Sequence, residues 1–409
     1  MAKSRSGRRD RGIDFRPKLL RSASDQAGRR RKVICVLGTR PEAIKLAPVL
    51  RALANHPAVE VKTVVSGQHR ELVDPVLRMF GIRADHNLRT MRRQQTPSQV
   101  LARVLAKLDP ILRREAPDMI LVQGDTSTAL AGALAGSHQK IPVAHVEAGL
   151  RSGNLDSPFP EEMNRRMISQ VATWHYAATS GNRGNLLQEG IPASKIFVTG
   201  NPGIDALQFV MKRNQVSARI KEIVRKAGGR RMIALTTHRR ESFGQSMWRH
   251  LRELRRFVEK HEDVCVVFAV HPNPNVETAA RSELKDCARV HLVDPLDYSD
   301  FIELLRSAWL IVSDSGGIQE EAPTLGKPLL VLRSNTERPE AIDCGIASLA
   351  GDAPGKLTQL LEGAYSSAEA RQQTGKVKNP FGDGKAGARI AGLVASQVCG
   401  TERRPVKTA

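Results

Sequence analysis

The chain of 409 residues is long enough for two or three domains, and its apolar share of 41% supplies a sizeable core and excludes disorder along the whole length. Apolar stretches break well before the ~18 residues that a membrane span needs. The scattered Cys35, Cys265, Cys287, Cys344 and Cys399 show neither a CxxC nor a zinc spacing, and read as buried thiols of a protein kept in a reducing cytoplasm.

The net charge is +21, but it is unevenly spread. Residues Met1 to Lys32 carry twelve Lys or Arg against three Asp, with almost no apolar periodicity. This is the composition of a disordered, solvated arm, and it lacks the apolar core of a secretory signal. A dedicated nucleic-acid contact by this arm is not expected, because the body shows no recognisable nucleic-acid-binding motif. The surplus left on the body suits an enzyme that handles phosphorylated anions.

From Val33 onward short β-rich runs alternate with helical patterns. The runs are Val33–Leu37, Val61–Val65, Met119–Val122, Val143–Val146, Tyr176–Thr179 and Ile196–Thr199, then Met232–Leu235, Val264–Val270, Val290–Val293, Leu310–Val312 and Leu329–Leu332. Strands apolar on both faces, with helices between them, predict parallel sheets covered on both sides. Val100, Val104, Leu108 and Leu112 recur every fourth residue, marking one face of a helix. Two sets of runs divided near Asn201–Pro202 predict an α/β protein of two Rossmann-like, doubly wound domains, 33–200 and 201–384.

Such sheets bind ligands where strands end and helices begin. After the first run, Thr39 and Glu42 have capping-box spacing and Pro41 suits a first helical turn. Capping leaves Arg40 unexplained, and Arg40 with Lys45 near exposed amides makes an anion site. In the second domain Ser315-Gly316-Gly317 opens a helix, where the backbone can approach a phosphate. A Walker loop is excluded because no GKS or GKT follows, and dinucleotide binding is disfavoured because no G-x-G-x-x-G opens either domain. Asp125 and Glu147 follow separate apolar strands and should converge at one sheet edge, with Glu161 and Glu162 opening a later helix. Glu162 reads as a helix-dipole partner. The other carboxylates, facing cations, suit proton transfer on a phosphorylated sugar. His238 ends the first strand of the second domain and reads equally well as an exposed surface histidine or as part of the site.

The segments GTRPEAIKLAPV, SGQHREL, VQGDTSTALAGALA, HVEAGLRS, PEEMNRR, TGNPGIDAL, THRRESFG, HPNP, SDSGGIQEEAPTLGKPLLVLR, TERPEA and NPFGDGKA follow one another in this order. Together they closely resemble the bacterial non-hydrolysing UDP-N-acetylglucosamine 2-epimerase family, from about Val33 to the final helix. The resemblance implies a GT-B architecture, two Rossmann-like domains facing across a cleft, with a C-terminal helix at about 385–400 returning to the first domain. It implies reversible C2 epimerisation of UDP-N-acetylglucosamine to UDP-N-acetylmannosamine, by anti elimination of UDP and re-addition through bound 2-acetamidoglucal, feeding surface polysaccharide synthesis. A homodimer is implied as well, and neither a metal nor a nicotinamide cofactor is expected. The alternatives are a 2-epimerase of UDP-2,3-diacetamido-glucuronic acid and a GT-B glycosyltransferase, the latter disfavoured by carboxylates crowding the acceptor position.

Position by position, the resemblance makes Arg40, Lys45, Asp125, Glu147, Glu161 and His238 the catalytic set, leaving open which carboxylate serves which face. It makes Ser315, Gly316 and Gly317 the phosphate cradle, Glu321 the ribose ligand, Arg338 a nucleotide contact and Phe301 a uracil-site residue, with Leu296 where some members carry Gln. Gln68, His69, Gln95 and His271 match an activator site for a second UDP-N-acetylglucosamine, although Gln94 replaces an Arg of activated members.

Overall fold

Strands apolar on both faces need cover on both sides, and in the computed structural model helices supply it. The structure describes residues 29–67, 70–92, 95–239, 243–367 and 377–400. In chain order the first half runs β1 (Arg31–Leu37), α1 (Arg40–Ala54), β2 (Val59–Val65), α2 (Arg70–Met79), β3 (His86–Asn87), α3 (Pro97–Glu115), β4 (Met119–Gln123), α4 (Ser127–His138), β5 (Val143–Ala148), α5 (Glu161–Val171), β6 (Trp174–Ala177), α6 (Ser180–Gln188) and β7 (Ile196–Val198). The second half runs α7 (Pro202–Arg213), α8 (Ala218–Lys226), β8 (Arg231–Thr236), α9 (Gln245–Lys260), β9 (Val264–Ala269), α10 (Pro274–Leu284), β10 (Val290–Val293), α11 (Tyr298–Ser307), β11 (Leu310–Ser313), α12 (Gly316–Leu325), β12 (Leu329–Val331), α13 (Pro339–Asp343), β13 (Ala347–Leu349), α14 (Lys356–Ser366) and α15 (Ala386–Cys399).

Among the described residues the strands form two parallel sheets, ordered β3-β2-β1-β4-β5-β6-β7 and β10-β9-β8-β11-β12-β13. The order reverses between β1 and β4 and again between β8 and β11, so each sheet opens a crevice beyond the carboxyl ends of those strands. Every predicted run is a strand. β3 and β13 are additional edge strands: His-Asn carries no apolar signal, and Ala-Ser-Leu is too short to show one. The α3 stripe of Val100, Val104, Leu108 and Leu112 is buried, at about 1.5–3 kcal/mol per side chain.

β1 begins at Arg31, inside the segment assigned to the arm. Arg31 pairs with Val59 and reaches Asp118, while Lys32 is held by Glu115 at 2.9 Å. Specific carboxylate partners turn two basic residues of the run into strand. The cysteine reading holds for Cys35, Cys265 and Cys287, whereas Cys344 is half-buried and Cys399 is exposed at the end of α15. α15 lies against α1 and α7, its first amides held by Asp205 at 3.1 and 2.8 Å. Gly387 makes that packing fit, since a Cβ there would stand 2.9 Å from the Pro48 carbonyl carbon. No helix among the described residues is long and apolar enough to cross a membrane.

Two histidines are paired in register on β5 and β6. His145 donates from Nε2 to the Gly124 carbonyl at 2.8 Å, steadying the loop that carries Asp125, and its Nδ1 has no partner among the described residues. Burial holds His145 down at about 3 and His175 at about 4. Unfolded, both titrate near ~6.5, so between these limits the unfolded chain binds more protons. Stability is therefore fully present above ~6.5 and lost as pH falls, by about 1.4 kcal/mol per pH unit for each histidine. Urea unfolding from pH 4 to 7 tests this: His175→Leu should flatten the slope by about one histidine's share, and an unaltered slope refutes the assignment.

Candidate active site

Both crevices present helix N-termini, and the two faces meet through side chains. At the β1–α1 junction Glu42 accepts from the Gly38 and Thr39 amides at 3.0 and 2.7 Å, as capping-box spacing anticipates. It also accepts from Thr126 Oγ1 at 2.7 Å, which ties this loop to the one after β4. Burial pushes its carboxyl up to about 7. Arg40, next to the cap, points across to the second sheet, where its Nη1 lies 3.5 Å from the Leu296 carbonyl. Burial lowers its pKa, opposed by Glu321, Tyr298 and Asp297.

Lys45, one turn further along α1, is buried between two carboxylates. It pairs with Glu147 of the first domain and with Glu320 of the second at 2.9 Å. Glu147 sits at a register shift between β5 and β6 with φ of +64°, a left-handed conformation for a side-chain-bearing residue. Such a bulge re-aims a side chain and costs on the order of 1–3 kcal/mol, so the surrounding structure must enforce it. Here Gln123 donates to one carboxylate oxygen, while Asn201 at 3.2 Å and Lys45 donate to the other. Burial pushes the Glu147 carboxyl up, Lys45 opposes this, and Glu320 beside it adds to the rise.

The expected convergence of Asp125 and Glu147 is met: β4 and β5 are neighbours, and a Cβ on Gly124 would lie 3.3 Å from Glu147 Oε2. Asp125 is gripped by Arg165, with Nε at 2.9 Å and Nη2 at 2.7 Å from Oδ2. Glu161 opens α5 beside it, its carboxyl raised by burial and by Asp125. Glu162 is not a simple dipole partner: it is fully buried and bound to Arg165 at 2.8 Å and to the Ser152 amide at 3.1 Å.

In the second domain Ser315 is the N-cap of α12 and the next two residues are glycines. Gly316 is required by proximity, because a Cβ would stand 2.5 Å from Arg338 Nη1. Gly316→Ala should cost about 1–3 kcal/mol of stability by overpacking, read as a lower denaturant midpoint; an unchanged midpoint would mean that the guanidinium yields freely. Beyond Gly317 the nearest atom to such a Cβ is Ser315 Oγ at 3.9 Å, so that face is open. Arg338, read from sequence as a nucleotide contact, is buried and engaged by Glu320 at 2.6 Å and by Glu337. Glu321 accepts from the Tyr298 hydroxyl at 2.8 Å, and burial pushes it up to about 7. Phe301 is partly buried against the core on α11. His238 Nδ1 lies 3.2 Å from the buried Asp314, which also accepts from the His238 and Arg239 amides. Asp314 thereby orients the imidazole through Nδ1.

The activator candidates are not brought together to the same degree. His271 stacks on His238 with centroids 5.7 Å apart. Gln95 is turned onto its own loop, bonding the Thr90 carbonyl at 3.0 Å and the Arg92 amide at 2.6 Å. Gln68, His69 and Gln94 lie outside the described residues. Arg165, Asp314, Glu320 and Glu337 escaped the sequence reading. Arg165, Glu320 and Glu337 complete a chain of alternating charge, Asp125–Arg165–Glu337–Arg338–Glu320–Lys45–Glu147, that crosses between the domains. Among the described residues no group of three or more His, Cys, Asp or Glu is placed to hold a metal ion.

Comparison with known proteins gives one consistent result. A family model described as UDP-N-acetylglucosamine 2-epimerase matches residues 51–395. The UDP-N-acetylglucosamine 2-epimerase of Yersinia pestis is 47% identical over 364 residues, 88% of this chain and 97% of the relative. The Neisseria meningitidis UDP-GlcNAc 2-epimerase, solved bound to UDP-GlcNAc, superposes with a TM-score of 0.85 at 40% identity, covering 89% of this chain and 99% of that one. The Methanocaldococcus jannaschii UDP-GlcNAc 2-epimerase, in complex with UDP-GlcNAc and UDP, gives 0.79 at 33% identity, with 89% and 99% covered.

Proposed function

With this chain a member of the UDP-N-acetylglucosamine 2-epimerase family, we propose that its interdomain cleft carries out reversible C2 epimerisation of UDP-N-acetylglucosamine. The fold is the GT-B-like arrangement of that family, and the relatives support this substrate rather than the diacetamido-uronic acid alternative. The observation that carries the reading is Lys45, a first-domain cation held between Glu147 and the second domain's Glu320 at the mouth of a glycine-opened helix.

The diphosphate binds the N-terminus of α12 at Ser315–Gly317, where free amides and the helix dipole favour an anion. Arg40 and His238 flank it and stabilise the charge that develops as UDP leaves C1. Glu321 takes the ribose hydroxyls, and Phe301 lines the uracil end. Arg338 acts behind the cradle, keeping Glu320 and Glu337 ionised. The carboxylates of Asp125, Glu147 and Glu161 surround the sugar, one accepting the C2 proton and another returning it to the opposite face of bound 2-acetamidoglucal. No cofactor enters this scheme.

Met163 and Met167, one turn apart on α5 and 37% and 41% exposed, support docking of a second copy. His271 beside His238 supports a second nucleotide sugar as activator. Five free cysteines fit a reducing cytoplasm.

Proton NMR with UDP-N-acetylglucosamine in heavy water tests the reading. The expected result is a new anomeric signal of the manno sugar, still attached to UDP, with deuterium at C2. Free N-acetylmannosamine would assign a hydrolysing reaction instead. Turnover of the diacetamido-uronic acid nucleotide alone would replace the substrate.

A further inference from the structure

We propose that Glu337 is a positioning residue that gathers four arginines from both domains beneath the phosphate cradle and offsets part of their charge. The diphosphate is then held tightly enough to stay while it is off C1, and loosely enough for product to leave. The inference rests on the 2-epimerase reading and deepens it by naming what limits affinity at the diphosphate subsite.

Glu337 lies two residues ahead of α13 and is buried, and four guanidinium groups close on its carboxylate. Arg338, the next residue, pairs with Oε1, and Arg333, two residues beyond β12, pairs with Oε2 at 2.9 Å. Arg239, after β8, lies 3.6 Å from Oε1, and Arg165, from α5 of the first domain, lies 3.8 Å from it. Burial alone would raise the Glu337 carboxyl, but Arg338, Arg333, Arg239 and Arg165 hold it well below the usual carboxylate range. Glu337 is thus a fixed anion, and its part is electrostatic rather than proton transfer.

This hub lies against the start of α12. Arg338 Nη1 is 2.5 Å from where a Gly316 Cβ would stand, so its guanidinium abuts the first glycine of the cradle. The Arg239 amide bonds Asp314 Oδ2 at 2.9 Å, one residue before the Ser315 N-cap. Thr336 Oγ1 donates to Gln319 Oε1 at 2.5 Å, and Gln319 Nε2 donates to the Ser315 carbonyl at 3.4 Å. These bonds tie the segment carrying Glu337 to the first turn of the helix.

Four cations about one anion leave a surplus of three, which favours an incoming diphosphate. Arg338 is also answered by Glu320 at 2.6 Å, and Arg165 by Glu162 at 2.8 Å. Arg239 is not so provided: Glu337 is the one carboxylate within salt-bridge distance of it among the described residues, and its buried Nε has no partner there. Without the Glu337 charge, Arg239 and Arg338 would turn their full charge on the diphosphate, which strengthens anion binding. That gain falls equally on substrate, product and expelled UDP. Such uniform binding lowers KM without speeding the chemistry, and it slows product release. An enzyme whose product is another UDP-sugar must release that diphosphate at every turnover.

The test compares full-length wild type, Glu337→Gln and the charge-balanced Glu337→Gln/Arg333→Gln. Each is measured by calorimetry with UDP, by kcat and KM for UDP-N-acetylglucosamine, and by circular dichroism. Glu337→Gln should bind UDP about 10-fold tighter, with KM and kcat falling together. The double variant removes one positive charge with the negative one and keeps the surplus at three, so its UDP affinity should return to near the wild-type value. A merely structural carboxylate predicts the opposite sign: loosened arginines, weaker UDP binding in Glu337→Gln and no recovery in the double variant. That result, or an affinity unchanged in Glu337→Gln, overturns the proposal. If Glu337→Gln loses its folded spectrum, Arg333→Gln carries the comparison, since it lowers the surplus and should weaken UDP binding; an unchanged affinity there overturns the proposal equally. A wild type that binds UDP yet exchanges no C2 proton overturns the epimerase reading instead, while the UDP affinities of the variants still decide the role of Glu337.

Discussion

Asp125→Asn is expected to slow C2 proton exchange by about 10²–10⁴-fold while UDP affinity and the unfolding midpoint stay close to wild type. The substitution keeps the shape of the side chain and an oxygen able to accept from Arg165, but it removes the basic lone pair. It should not strand a buried charge, because the Arg165 guanidinium still faces Glu162 at 2.8 Å and Glu337 at 3.8 Å. That separates this change from one at Arg165, where a cation between three carboxylates would be lost. Deuterium incorporation at C2, followed by NMR with excess enzyme, isolates the proton-transfer step from product release. An Asp125→Asn enzyme that exchanges at the wild-type rate would remove Asp125 from proton transfer and turn attention to Glu147.

Much of the fold was legible because both sheets are parallel. A strand buried on both faces must be apolar throughout, so runs such as Val33–Leu37 and Val264–Val270 stand out from the helices that separate them. Edge strands carry no such demand, and β3 and β13 left no trace. The site was legible where chemistry sits at a strand end: Arg40 after β1, Asp125 after β4 and Ser315 after β11 all lie within three residues of one. What was illegible depends on distance in sequence. Glu320 and Lys45 are 275 positions apart, and nothing local in either predicts that they meet. Nothing local marks Glu337, just ahead of a short helix, yet it is buried. The left-handed backbone at Glu147 was equally hidden, because a glutamate there is fixed by its partners rather than by its own preference.

The interdomain charge chain gives the second large effect. Lys45→Met should destabilise the protein by about 3–5 kcal/mol, because Glu147 and Glu320 would then face each other across a buried site without the cation between them. The loss should fall toward the lower end of that range, since Arg338 remains 2.6 Å from Glu320 and 3.7 Å from Glu147. It should also depend on pH with a definite sign. Burial already pushes Glu147 upward, and loss of Lys45 removes the influence that opposes this. The folded state of the variant would therefore bind a proton more readily than its unfolded state, and lowering the pH should recover stability relative to wild type. The double variant Lys45→Met/Glu320→Gln should recover it at neutral pH as well, because the second change removes one of the two uncompensated charges. Urea unfolding of the three proteins at pH 5 and pH 7 decides the matter. Equal deficits at both pH values, with no recovery in the double variant, would mean that Lys45 contributes packing by its aliphatic stem rather than charge.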